Sequence, residues 1–110
     1  MSLSPALKAW QEQSLSWSWK DQPIAYWKGG DWAHDDRPVL LLIHGFPTAS
    51  WDWSALWEPL ARHFRLLAVD MIGFGFSAKP AAYGYSIIDQ ADLHAGLCET
   101  LGIHECHVLA

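Results

Sequence analysis

Residues 39–43, VLLLI, are an uninterrupted apolar run, the pattern of a strand covered on both faces as in a parallel sheet. The run ends on His44-Gly45-Phe46-Pro47, where a glycine lets the backbone turn sharply and a proline fixes the next φ. A strand buried on both faces needs a layer above it and another below it. This one segment therefore restricts the chain to a layered α/β arrangement.

The remaining sequence supplies the layers. Leu15, Trp17 and Trp19 alternate with Ser16 and Ser18, the period-2 signature of a half-buried strand. Asp21-Gln22-Pro23 breaks that run and residues 24–28 resume it, which predicts an antiparallel hairpin. Residues 29–38 are polar and turn-rich and read as a surface loop. Beyond the turn at 44–47, Trp53, Leu56, Trp57, Leu60, Ala61 and Phe64 recur at helical spacing. Pro59 requires that helix to kink or to restart with the proline in its first turn. Residues 66–69 predict a second buried strand, closed by Asp70. Ser86 and Asp89 form an S-x-x-D capping box ahead of a helix of about four turns. Ile88, Ala91, Ala95 and Cys98 share one face of it, and Gly102 follows as its C-terminal cap. His107-Val108-Leu109-Ala110 begins a third buried strand. The expected fold class is α/β: an antiparallel hairpin, then β-α-β-α-β in a parallel sheet with right-handed crossovers and helices on both faces. No internal repeat or low-complexity tract interrupts it.

Composition narrows the function classes. At 110 residues, 51% apolar and 17% charged, the chain is globular and sized for one domain at most. Its eight tryptophans imply large packing surfaces, with core packing the plainer reading than an aromatic cavity wall. A net charge of −5 without any Lys/Arg cluster argues against a nucleic-acid partner. Residues 1–14 carry one lysine and no apolar h-region, and no window has the length of a membrane span, so a soluble cytoplasmic protein without a membrane partner is expected. Cys98 and Cys106 are expected to be buried thiols rather than a disulfide.

In open parallel sheets ligands bind beyond the carboxyl ends of the strands, where both glycine turns fall. In the first turn, the backbone amide of Phe46 can be held rigidly and offered to an oxyanion; loss of one such donor typically costs about 10²–10³ in rate. The second, Gly73-Phe74-Gly75-Phe76-Ser77-Ala78, satisfies G-x-G-x-x-[GA] after a strand. A dinucleotide site needs a helix to open there, and Lys79-Pro80 and Tyr83-Gly84-Tyr85 break that continuation. His104, Cys106 and His107 could suggest a metal site, but adjacent strand residues such as Cys106 and His107 face opposite ways, and zinc needs three or four convergent ligands. No metal and no cofactor are expected.

With HGFPTASWDW followed by a strand ending in Asp70 and then MIGFGFSAKP, residues 14–110 resemble the α/β-hydrolase superfamily. Within it, the chain is similar to the branch of epoxide hydrolases, haloalkane dehalogenases and mesoderm-specific-transcript proteins. With the last of these it shares DxxGFGFSxKP, the following Tyr85-Ser86 and the hairpin's Ile24-x-Tyr26. The resemblance implies an oxyanion hole contributed in part by the Phe46 amide, with His44, Gly45 and Pro47 shaping the turn and a cis Phe46-Pro47 bond. His44 is a brace rather than the catalytic base, Ser77 is structural rather than the nucleophile, and Trp51 is a candidate pocket wall. Dehalogenases of this branch usually carry asparagine at the position of Phe46, so phenylalanine points to epoxide or ester hydrolysis through a covalent enzyme intermediate.

The resemblance also implies that residues 1–110 are the N-terminal portion of one such domain, ending at the strand before the nucleophile elbow. The catalytic triad and the cap domain would lie beyond Ala110, so the chain alone is expected to be inactive. A small-molecule substrate belongs to the complete enzyme. The last strand would form an exposed apolar sheet edge, predicting poor solubility, self-association or capture of a complementary fragment. A non-catalytic interaction module using that edge is the alternative function, and a dinucleotide-binding domain a weaker one.

Overall fold

The computed structural model describes residues 3–34 and 36–110. Met1 and Ser2 of the N-terminal stretch, and Asp35 of the predicted 29–38 loop, lie outside the described residues. Five strands form one mixed sheet: β1 (Leu15–Trp19), β2 (Gln22–Gly29), β3 (Val39–Ile43), β4 (Arg65–Val69) and β5 (His107–Leu109), in the order β1-β2-β4-β3-β5. The hairpin pairs antiparallel, β2 is antiparallel to β4, and β3 lies parallel to both β4 and β5. This is the α/β architecture expected from the sequence.

Both faces of the sheet are packed. On one, Val39, Leu41, Leu67 and Val69 meet Leu93 and Leu97 of helix α3 (Ile87–Thr100). On the other, Leu40, Leu42, Leu66 and Ala68 meet Trp57, Leu60 and Ala61 of helix α2 (Trp57–Ala61). Alternate residues of β3 and β4 thus serve opposite layers, which is why the sequence of each strand is apolar throughout.

Four local expectations are corrected. The hairpin turn is Lys20-Asp21, both with positive φ (49° and 64°), rather than 21–23; two left-handed residues match a two-residue hairpin loop. Pro23 stays inside β2 opposite Ser18, at the pair next to the closing Trp19–Gln22 pair, where alternation of the ladder asks for no N–H toward β1. The helix after the glycine turn is a 3-10 segment, Ser50–Leu56, followed by α2 with Pro59 in its first turn; of the two predicted outcomes, the restart is observed.

The buried face of α3 is Asp89, Leu93, His94 and Leu97; of the predicted face, Ile88 (75% exposed), Ala91 and Ala95 are exposed, and Cys98 alone packs, half-buried, against the core. Gly96 decides the orientation, since a Cβ there would lie 2.9 Å from the Trp19 ring; only a bare backbone lets this face approach the hairpin. Ser86 caps the helix as expected, accepting the Asp89 N–H at 3.0 Å, but the Asp89 carboxylate turns away to other partners. Finally, β5 is exposed along its length, with Val108 at 56%, because it pairs with β3 alone and stands at the sheet edge.

Helix α1 (Pro5–Glu12) was not anticipated, although Ser4 accepts the Leu7 N–H at 3.2 Å and Pro5 opens the helix. It carries Trp10, which stacks on Trp27 at 5.1 Å, donates to Ser50 Oγ at 3.2 Å and accepts the Trp27 indole N–H on its carbonyl at 2.8 Å. Most of the tryptophans are therefore packing residues, as the plainer reading held.

Candidate active site

The C-terminal ends of β3 and β4 carry the two glycine turns side by side. In the first, the Gly45 carbonyl accepts from Thr48 N at 3.0 Å, Thr48 Oγ1 at 2.9 Å and His44 Nδ1 at 2.9 Å. His44 is 3% exposed, and its Nε2 accepts the Met71 N–H at 3.0 Å across to the second turn. A carbonyl can only accept and a backbone N–H can only donate, so this imidazole carries its proton on Nδ1. Both ring nitrogens are committed to the backbone, and His44 braces the turn.

The Phe46-Pro47 peptide is cis. Phe46 is 85% exposed and lies edge-on to Phe74 at 5.7 Å, which in turn meets the His44 ring at 5.4 Å. Among the described residues, the Phe46 N–H donates to no hydrogen bond. Beside it opens a cavity of about 830 Å³, lined by Ile43, Phe46, Met71, Phe74, Ile87 and His94 among others. Trp51 lies elsewhere: it lines a smaller cavity of about 310 Å³ with Leu7, Trp10 and Phe76.

Asp70 ties the start of the 3-10 segment to the second turn, a role that sequence reading did not assign. The side chain is buried, its Oδ1 accepting the Ser50 N–H and its Oδ2 the Phe76 N–H, both at 2.8 Å. Two charge-assisted bonds to backbone donors compensate the desolvated carboxylate. Gly75, at φ 54°, passes so close that a Cβ would sit 2.2 Å from Oδ2. Ser77 Oγ accepts the Ala25 N–H at 2.8 Å and donates to the Asp70 carbonyl, so this hydroxyl is used up in structure. No helix opens after Gly73–Ala78, the next being α3 at Ile87, so the dinucleotide reading has lost its required context.

Two further titratable groups lie on α3, of which His94 lines the larger cavity. Asp89 binds Lys20 Nζ at 2.6 Å and accepts from the Tyr83 hydroxyl, which itself accepts the Trp19 indole N–H at 3.2 Å. Its carboxyl is held below the usual range by the Lys20 bond first and the Tyr83 bond second. His94, buried in α3, donates from Nδ1 to the Gln90 carbonyl at 2.7 Å and leaves Nε2 without a partner among the described residues. Burial holds its pKa below the ordinary histidine value.

His107 lies edge-on to Phe64 on the α2 side of the sheet, while Cys106 packs on the α3 side, so His104, Cys106 and His107 are not gathered as metal ligands. No helix among the described residues is long and apolar enough to cross a membrane.

The fold and the paired glycine turns define an α/β hydrolase, and residues 38–110 match the family model of the alpha/beta hydrolase fold; the chain belongs to that family. It is 39% identical over 102 residues to the human mesoderm-specific transcript homolog protein, covering 92% of this chain and 30% of that protein. Among solved structures, an alpha/beta hydrolase fold protein from Burkholderia ambifaria superposes with a TM-score of 0.79 at 30% identity, covering 89% of this chain and 34% of that one. A haloalkane dehalogenase loop variant from Bradyrhizobium elkanii does so with 0.76 at 32% identity, covering 86% and 30%. These similarities place the chain in the branch that holds the dehalogenases and the mesoderm-specific-transcript proteins. The chain spans about a third of the length of each of these proteins.

Proposed function

We propose that this chain contributes the oxyanion side of a hydrolase active site that acts on apolar epoxides or esters through a covalent enzyme intermediate. Family membership gives the hydrolase class. The observation that carries the oxyanion role is the turn at 44–47: three donors hold the Gly45 carbonyl, His44 is fixed at both nitrogens, and the next N–H, that of Phe46, has no internal partner among the described residues. A donor locked in this way needs no reorganisation when negative charge develops on a substrate oxygen.

The nucleophile, acid and base come, in this reading, from a segment outside the 110 residues: an aspartate giving an alkyl-enzyme ester or a serine giving an acyl-enzyme. The apolar lining of the larger cavity favours an apolar substrate. Purified alone, the chain should hydrolyse neither p-nitrophenyl acetate nor styrene oxide above background. Placed as the N-terminal segment of a chimera with the remainder of the Bradyrhizobium dehalogenase, it should support turnover of one of them. Turnover by the isolated chain would contradict the division of labour, and a folded chimera without any hydrolase activity would contradict the oxyanion role.

A second reading rests on the exposed edge: Val108 and Leu109 of β5 are open to pairing with another strand, whether of a second copy or of a complementary chain. Sedimentation tests its self-pairing form, since a stable monomer at high concentration would remove pairing with a second copy.

A further inference from the structure

Cys98 lies in the last turn of α3, and Cys106 stands immediately before β5. Between them the chain reverses. Gly102 takes φ 73°, its N–H donates to the Glu99 carbonyl at 3.1 Å, and the Ile103 N–H donates to the Cys98 carbonyl at 2.8 Å. This is the paired bonding of a Schellman helix end, and it returns the chain against the helix it has just left. As a result both cysteines pack, as neighbours, against the core cluster that holds Leu93 and Leu97. Both are free and only half-buried, so solvent-borne reagents can reach them.

We propose that Cys98 and Cys106 form a thiol–disulfide pair, which a hydroperoxide oxidises to an intramolecular bridge tying the end of α3 to the entry of β5. Burial and the neighbouring thiol push Cys98 up to about 11, so it stays protonated at neutral pH and takes the second step. The Cys106 thiolate attacks the terminal peroxide oxygen; an S–O bond forms, the O–O bond breaks, and the leaving oxygen takes up a proton. The Cys98 sulfur then attacks the sulfenic sulfur of Cys106. An S–S bond forms, the S–O bond breaks, and the departing hydroxide takes the Cys98 proton as water. With hydrogen peroxide, two thiols are oxidised by two electrons and one peroxide is reduced to two waters. The bridge would fasten β5, a strand otherwise paired with β3 alone, to the helix that precedes it.

The test treats the native 110-residue chain with hydrogen peroxide and counts thiols after denaturation. Both should disappear while the mass falls by two hydrogens. Cleavage after Glu99 and Glu105 puts the two cysteines on separate peptides, which should remain joined until a reductant is added. The bridged chain should melt about 5–10 °C higher than the reduced chain. In Cys98→Ser, Cys106 should instead add oxygen or link two chains. Oxygen addition at each cysteine separately in the wild-type chain, or covalent dimers without an internal link, would overturn the proposal.

Discussion

His44 and Met71 stand at the ends of two neighbouring parallel strands and are joined by one hydrogen bond, Met71 N–H to His44 Nε2 at 3.0 Å. Because the same ring donates from Nδ1 to the Gly45 carbonyl, one buried side chain sets the spacing of the two turns that border the larger cavity.

Replacing this residue should therefore loosen both turns at once. His44→Leu leaves the Met71 N–H without its acceptor and removes one donor from the Gly45 carbonyl, at an expected cost of about 2 kcal/mol. Urea unfolding should show a lower midpoint with an unchanged slope. An unchanged midpoint would mean that the bond contributes nothing to the fold.

The glycines next to Asp70 and in the outer loop should respond in opposite ways. Gly75→Ala brings a Cβ against the Asp70 carboxylate from a left-handed backbone, and a loss of at least about 3 kcal/mol is expected. Gly84, with nothing near its Cβ position, should tolerate alanine within about 0.5 kcal/mol. Thermal unfolding of both variants checks the contrast, and equal losses would remove Asp70 from its role between the 3-10 segment and the second turn.

Acid should act through His94. Its folded-state pKa is depressed by burial, so the associated stability is present above pH 6.5 and is lost as pH falls from there through the folded value. In His94→Leu the unpartnered buried nitrogen is gone, and the decline of stability below pH 6.5 should be shallower than in the wild type. Identical pH profiles for the two proteins would contradict this assignment.

A pair of limbs, one acid and one alkaline, belongs to the Lys20–Asp89 contact. Asp89 is depressed, so its stabilisation is lost as pH falls below 3.8; Lys20 is raised, so its stabilisation is lost as pH rises above 10.5. Asp89→Asn should flatten both limbs, measured as melting temperature against pH, whereas retention of both would leave the contact without energetic weight.

Much of this architecture could be read directly from local sequence, and the exceptions have physical reasons. β3 and β4 were legible because a strand buried on both faces has to be apolar at every position. Pro23 was misread because only the ladder's alternation, a property of two strands together, shows that its missing N–H is not needed there. On α3, Ile88, Ala91, Ala95 and Cys98 suggested a buried stripe, yet Ile88 stands exposed at the helix start; the close approach at Gly96 depends on where the hairpin tryptophans lie. The turn at 44–47 was visible as a motif. Its bracing by Met71 and the Asp70 bonds to Ser50 and Phe76 were not, since such contacts join segments that only the sheet brings together.

The oxyanion role of the Phe46 amide is tested most directly by deleting that single N–H in the active dehalogenase chimera through Phe46→Pro and measuring kcat and KM for the substrate it turns over. A fall in kcat of about 10²–10³ with KM little changed, in a variant that remains folded by circular dichroism, is the predicted result. An unaltered kcat would contradict the assignment of Phe46 to the oxyanion hole.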